Sequence, residues 1–207
     1  MRKLFSALVL ATTLVPFSAR ADDLRLPKDA SEPLQLLVQA RQLATYARTT
    51  RKPLALIVAA EMIRDAGLEP RGTSKIDDPN STKALVDEAR GMARRDRLIA
   101  RLADNVLATN EKGRETGPLY EITKVEPGAT ERRANMPFKP GKRAEVYVEG
   151  SGKLAITVYD AKGQPLCKDD HADSVAYCWW QQANQGDVTV EVMNPGKAPN
   201  TIRIVTN

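Results

Sequence analysis

This 207-residue chain is short of cysteine, with two, and of histidine, with one. With a single imidazole, any Ser-His-Asp or Cys-His scheme has to run through His171. None of the GxSxG, HExxH or phosphate-cradling glycine patterns occurs. Long hydrophobic runs are missing as well. The apolar stretch at 4–17 is too short to cross a bilayer comfortably, and the run at 54–63 is short and carries Glu61. The chain is therefore read as one that does not span a membrane.

Residues 1–21 read as a removable export signal: Arg2 and Lys3 precede the apolar run, and Ala19 and Ala21 stand at the positions a signal peptidase recognises. Cleavage after Ala21 makes Asp22 the mature start. Loss of Arg2, Lys3 and Arg20 lowers the net charge from +5 to +2. So small a balance argues against a nucleic-acid partner, as export does. The expected address is the bacterial periplasm, with secretion or the cell surface as the alternative. In that oxidising setting Cys167 and Cys178 are expected to form a disulfide.

Two periodicities divide the rest into a helical region at 22–117 and a β-domain at 118–207, with the change near Gly117. Ser31 is placed to cap a first helix with Pro33 in its first turn, and Leu34, Leu37, Val38, Ala44 and Ala47 recur at helical spacing. The segment at 53–66 is apolar on most faces, ends at Gly67 and is expected to be the central helix. A polar loop at 69–80 then leads to one long third helix, with Leu85, Ala89, Met92, Ile99, Ala103 and Val106 on a single stripe.

After Pro118 the apolar residues alternate. Ala144, Val146 and Val148 interleave with Glu145, Tyr147 and Glu149, and 154–158, 188–192 and 202–204 behave in the same way. Gly150-Ser151-Gly152 reads as a turn. About eight short strands follow from this pattern, and the fold class is α+β: about three helices, then an antiparallel sandwich.

The segments KLAITVYDAKG at 153–163, GDVTVEVMNPG at 186–196 and NTIRIVTN at 200–207 resemble the bacterial pre-peptidase C-terminal domain over roughly the last 75 residues. The resemblance implies a jelly-roll-like β-sandwich acting as a non-catalytic accessory module, in some members binding calcium or another ligand. The protease domain of that family has no counterpart in the helical region here.

Several clusters are candidates for chemistry. Asp169, Asp170, His171 and Asp173, in a loop between the cysteines, offer oxygen and imidazole ligands for Ca²⁺ or Zn²⁺, although no resident cofactor is expected. Arg90, Arg94, Arg97 and Arg101 recur along one helix face and form a ridge for anionic lipid, acidic glycan or protein. Trp179 and Trp180 must point opposite ways on a strand, so one enters the core and the other, with Tyr147 or Tyr159, can stack on a sugar or peptide. Asp96 falls inside the apolar stripe and Arg41 on the matching face of the first helix, so a buried Arg41–Asp96 ion pair is expected, with Arg48 or Arg64 as substitutes. The functional expectation is an exported, non-catalytic accessory or interaction protein whose partner is an envelope protein or glycan. A carbohydrate- or metal-binding protein is the alternative, and a hydrolase built on carboxylates or His171 ranks third.

Overall fold

A computed structural model of the chain describes residues 26–71, 75–108, 118–183 and 186–207. The expected signal at 1–21 and the expected boundary at Gly117 lie outside the described residues. Within them the fold is α+β, with four helices and seven strands.

Helix α1 (Glu32–Thr50) has Pro33 in its first turn and buries Leu34, Leu37, Ala44 and Ala47. Its start departs from expectation, because the Ser31 hydroxyl makes no capping bond. The Ser31 backbone N–H instead donates to both carboxylate oxygens of Glu145, at 3.2 and 3.3 Å. A carboxylate from the sheet thus provides the negative charge that a helix N-terminus favours. Helix α2 (Pro53–Asp65) is followed by Gly67 at φ +63°, a conformation that favours glycine.

The third helix is two. Helix α3 (Thr82–Met92) is capped by Ser81, whose hydroxyl accepts from the Ala84 N–H at 3.2 Å. Helix α4 (Arg97–Ala108) begins after a break in which Arg95 takes φ +70°. Asp96 ends the break by accepting from the N–H groups of Leu98 and Ile99, at 2.8 and 3.3 Å. An aspartate gains more from capping a new helix than from an unpaired place in an apolar stripe. Ile99, Ala103 and Val106 remain buried beyond the corner, so the stripe survives the break.

The expected loop at 69–80 contains a two-residue strand, β1 (Glu69–Pro70), parallel to β2 (Leu119–Val125). The other strands are β3 (Thr130–Phe138), β4 (Arg143–Tyr159), β5 (Pro165–Gln181), β6 (Gly186–Met193) and β7 (Asn200–Thr206). All seven join in one curled sheet of order β1-β2-β7-β4-β6-β3, with β5 also paired to β4. Strand β4 is its spine. β7 pairs antiparallel with residues 146–150 of β4 and β6 with residues 155–159, while β5 pairs with both halves.

The expected turn at 150–152 is therefore a bend within one 17-residue strand. Asn200, itself buried, grips the bend from β7. Its amide donates to the Gly152 and Lys153 carbonyls, at 3.0 and 2.9 Å, and its carbonyl accepts from the Gly152 N–H and the Ser151 hydroxyl, both at 3.1 Å. Strand β5 bends with β4. Cys167 and Cys178 form a disulfide with Cα atoms 5.8 Å apart, whereas eleven extended residues reach roughly 36 Å.

Two apolar clusters lie on opposite sides of the sheet. Inside the curl, Val146, Val148, Ile156, Val158, Val190 and Ile204 pack together with the Cys178 side chain. On the outer side Tyr147 and Val205 join the cluster made by α1 to α4. The helices and the sheet thus share a core, and both faces of β4 are covered.

Gly150 is where this bend tolerates least. A Cβ there would lie 2.6 Å from the Asn200 amide oxygen and 2.9 Å from Leu154 Cδ2, and Asn200 cannot yield without breaking its four bonds. We predict that Gly150→Ala lowers stability by about 1–3 kcal/mol in urea unfolding. Gly152→Ala, whose Cβ would meet nothing nearer than 3.9 Å, should cost less than about 1 kcal/mol.

Candidate functional site

The outer face of β4 carries Glu145, Tyr147 and Glu149, and α1 lies across it. Glu145 and Tyr147 are fully buried. The alternation that suggests a solvent-facing row is in fact a second interior, and each carboxylate in it is answered by charge or by hydrogen bonds.

At one end, Glu145 accepts from the Tyr177 hydroxyl at 2.6 Å, from the Ser31 N–H and from the Asn207 side-chain amide at 3.3 Å, with Arg143 Nε at 3.0 Å. Burial, and then this hydrogen bond to Glu145, raise the Tyr177 phenol above its ordinary pKa. Arg143 also reaches Asp29 at 2.6 Å, and that bond lowers the Asp29 carboxyl.

At the other end, Arg41 from α1 pairs with Glu149 at 2.6 Å. The Tyr147 hydroxyl donates to the second Glu149 oxygen at 3.1 Å. Arg203 from β7 contacts Asp78, lies 3.5 Å from Glu149 and sits over the Tyr120 ring at 4.9 Å. Burial, and then the Arg41 charge, press the Arg203 guanidinium down to about 8.

This ion cluster floors a cleft of about 800 Å³ between α1, the 77–80 segment and the sheet face at β2, β7, β4 and β5. Its rim is rich in hydroxyl and amide groups, among them Gln42, Thr45, Thr49, Asn80 and Ser151, and Tyr46 stands half exposed beside them. Arg48 makes one wall rigid: it donates to Asn80 at 2.8 Å and the Pro79 carbonyl at 3.0 Å while chelating Glu88 on α3. Nε and Nη1 of Arg41 are buried without a hydrogen-bond acceptor among the described residues. The cleft floor is thus neutralised in charge but incompletely satisfied in hydrogen bonding.

No protein-family model matches the chain, and no curated protein matches it. Among solved structures it is similar to the pre-peptidase C-terminal domain of a Bacillus anthracis collagenase, at 7% identity over 39% of this chain and 90% of that one, with a TM-score of 0.30. It is also similar to PliG, a periplasmic inhibitor of g-type lysozyme from Aeromonas hydrophila, at 10% identity over 47% and 92% of the two chains, with a TM-score of 0.33. A third is the Yersinia pseudotuberculosis-derived mitogen, at 6% identity over 44% and 85%, with a TM-score of 0.35. Likenesses this slight carry no functional argument.

The residues singled out from sequence are distributed differently from expectation. Arg41 and Asp96 do not meet. Arg41 turns to the sheet and Glu149, while Asp96 is exposed at the start of α4. Of the proposed substitutes, Arg48 pairs with Glu88, and Arg64 with Glu61 and Asp65. The ridge arginines are divided by the α3–α4 corner. Arg90 is engaged by Asp104 at 2.5 Å and Asp87 at 3.6 Å, and Arg94, Arg97 and Arg101 are exposed.

Trp180 enters the core against Phe138, with ring centroids 4.9 Å apart, and Trp179 is 48% exposed. The outward ring carries the Arg143 guanidinium 4.4 Å from its centroid. Tyr147 is buried and cannot join Trp179 in stacking on a ligand.

Asp169, Asp170, His171 and Asp173 lie within strand β5, where neighbouring side chains diverge. Among the described residues no three His, Cys, Asp or Glu side chains converge as a metal-binding group. Asp169 is used in holding the bent strand: one oxygen accepts from the Tyr177 N–H at 3.0 Å and the other lies 2.6 Å from the His171 ring. Asp170 pairs with Lys168 at 2.6 Å, and Asp173 accepts from the Ser174 N–H at 2.7 Å.

Two outcomes follow from these contacts. Glu149→Gln leaves two buried guanidinium groups short of a counter-charge and should cost about 3–5 kcal/mol in urea unfolding. Adding Arg41→Met should recover part of that loss. Asp169 raises the His171 imidazole above 6.5, so the charged pair contributes below pH 6.5 and is lost as pH rises through the raised value. An NMR titration of the single histidine should give a midpoint above 6.5, and Asp169→Asn should bring it down.

Proposed function

We propose that the chain is an exported, non-catalytic interaction protein of the bacterial envelope that engages its partner at the helix–sheet cleft. The observation that carries this reading is the cleft itself, walled by Arg48, with a mostly apolar lining and a few hydroxyl and amide groups placed around it. The disulfide is compatible with an oxidising compartment, and the periplasm is the favoured address. The strand-and-turn texture that resembles pre-peptidase C-terminal modules is the ground for proposing a jelly-roll-like character for 118–207.

A glycan is the second reading for the partner. Tyr46, 53% exposed on the cleft rim, offers a ring face for a sugar, and the hydroxyl and amide side chains around it suit a polyol.

The test compares the chain from Asp22 onward with its Gln42→Trp variant, which places an indole in the cleft from an exposed position on α1. Partners captured from envelope extract and soluble peptidoglycan fragments are both assayed. A partner or glycan retained by the parent and lost by the folded variant supports the cleft. Equal retention by both proteins would sink it.

A further inference from the structure

The α3–α4 corner forms a second surface that shares no residue with the cleft. Within eight positions it presents Arg94, Arg95, Arg97 and Arg101, all exposed. Among the described residues none of these four side chains makes a hydrogen bond or ion pair, whereas that of Arg90 beside them is engaged by Asp87 and Asp104. The acids of the corner are otherwise occupied too, since Asp96 caps α4 and Asp104 holds Arg90.

In the midst of this charge stands Leu98, 62% exposed and the most exposed large apolar side chain of the described residues. On α4 it neighbours Arg101 at i+3 and the half-buried Leu102 at i+4. A concavity of about 410 Å³ at the same corner is lined by Arg90, Arg95, Asp96, Arg97, Ile99 and Ala100, and Leu98 lies outside it. Arg95 holds a left-handed conformation, uncommon for a residue with a side chain, at the turn that forms this corner.

From this arrangement we infer that the corner docks on an anionic phospholipid surface, with the arginines on headgroup phosphates and Leu98 entering the acyl boundary. Guanidinium groups without a partner among the described residues supply attraction to an anionic leaflet, and an apolar side chain at their centre gains only if the docked surface has an apolar layer behind the charge. A polyanionic glycan meets the first condition and not the second. The attachment is peripheral, and no helix among the described residues is long and apolar enough to cross a membrane.

The test is vesicle co-sedimentation of the chain from Asp22 onward, which excludes the apolar run at 4–17 and keeps every described residue. The parent should bind phosphatidylcholine vesicles containing phosphatidylglycerol and leave phosphatidylcholine alone in the supernatant, with binding reduced at high salt. Arg94→Glu with Arg97→Glu should weaken partitioning at least ~10-fold, since each basic residue near such a surface contributes roughly 5-fold. Leu98→Ser should weaken it several-fold while leaving heparin binding unchanged. Circular dichroism verifies the folds, and Arg94→Gln with Arg101→Gln replaces the first pair if charge reversal disturbs folding. Equal binding to neutral vesicles, no vesicle binding, or binding that depends on the arginines but not on Leu98 and is matched by heparin would each overturn the inference. None of these outcomes depends on the cleft.

Discussion

The burial of Glu145, Tyr147 and Glu149 on the outer face of one strand is the constraint on which the rest of this structure depends. A carboxylate removed from water is costly unless it meets charge or donors, and here the helical layer provides both. Glu145 holds the N-cap of α1 through the Ser31 N–H, and Glu149 holds the same helix nearly three turns further on through Arg41. Two anchors four residues apart on a strand fix both the position and the direction of the helix laid across them. Apolar packing around Tyr147 and Val205 adds adhesion without direction.

The cleft follows from this docking. Because α1 is tied to β4 and Arg48 ties α1 to the 79–80 segment and α3, the gap between helix and sheet is held open by groups already committed to one another. Its floor is a cluster of two arginines and two carboxylates whose charges offset but whose donors outnumber the acceptors in reach. Such a cluster contributes little to net stability in comparison with an apolar core. Its consequence is geometric, since each group tolerates few alternative placements of its partners.

The curled sheet rests on a different device. Strand β4 passes from pairing with β7 to pairing with β6 at a bend that only Gly150 fits, and Asn200 takes up the backbone groups that the bend leaves without ladder partners. The Cys167–Cys178 disulfide and the Asp169 carboxylate close the same bend in β5. Histidine and aspartates that resemble a ligand set in sequence are thereby used to keep a folded-over strand together.

Periodicity and punctuation determined much about this protein directly from sequence: helical stripes before Gly117, alternating strands after Pro118, glycine at the end of α2 and a cysteine pair close enough to bond. These features are local, and local sterics and hydrogen bonding decide them. Three features were decided only by tertiary structure. Glu145 and Glu149 look like the wet side of a strand because alternation does not reveal whether a second layer covers it. The α3–α4 break, at 93–96, carries neither glycine nor proline, and on an unbroken helix Asp96 falls inside the apolar stripe, where it reads as half of a buried ion pair and not as a cap. Arg41 has a carboxylate partner as expected, but the partner lies more than a hundred residues away on a strand, because a buried charge takes whichever counter-charge the packing brings to it and sequence spacing does not encode which one that will be.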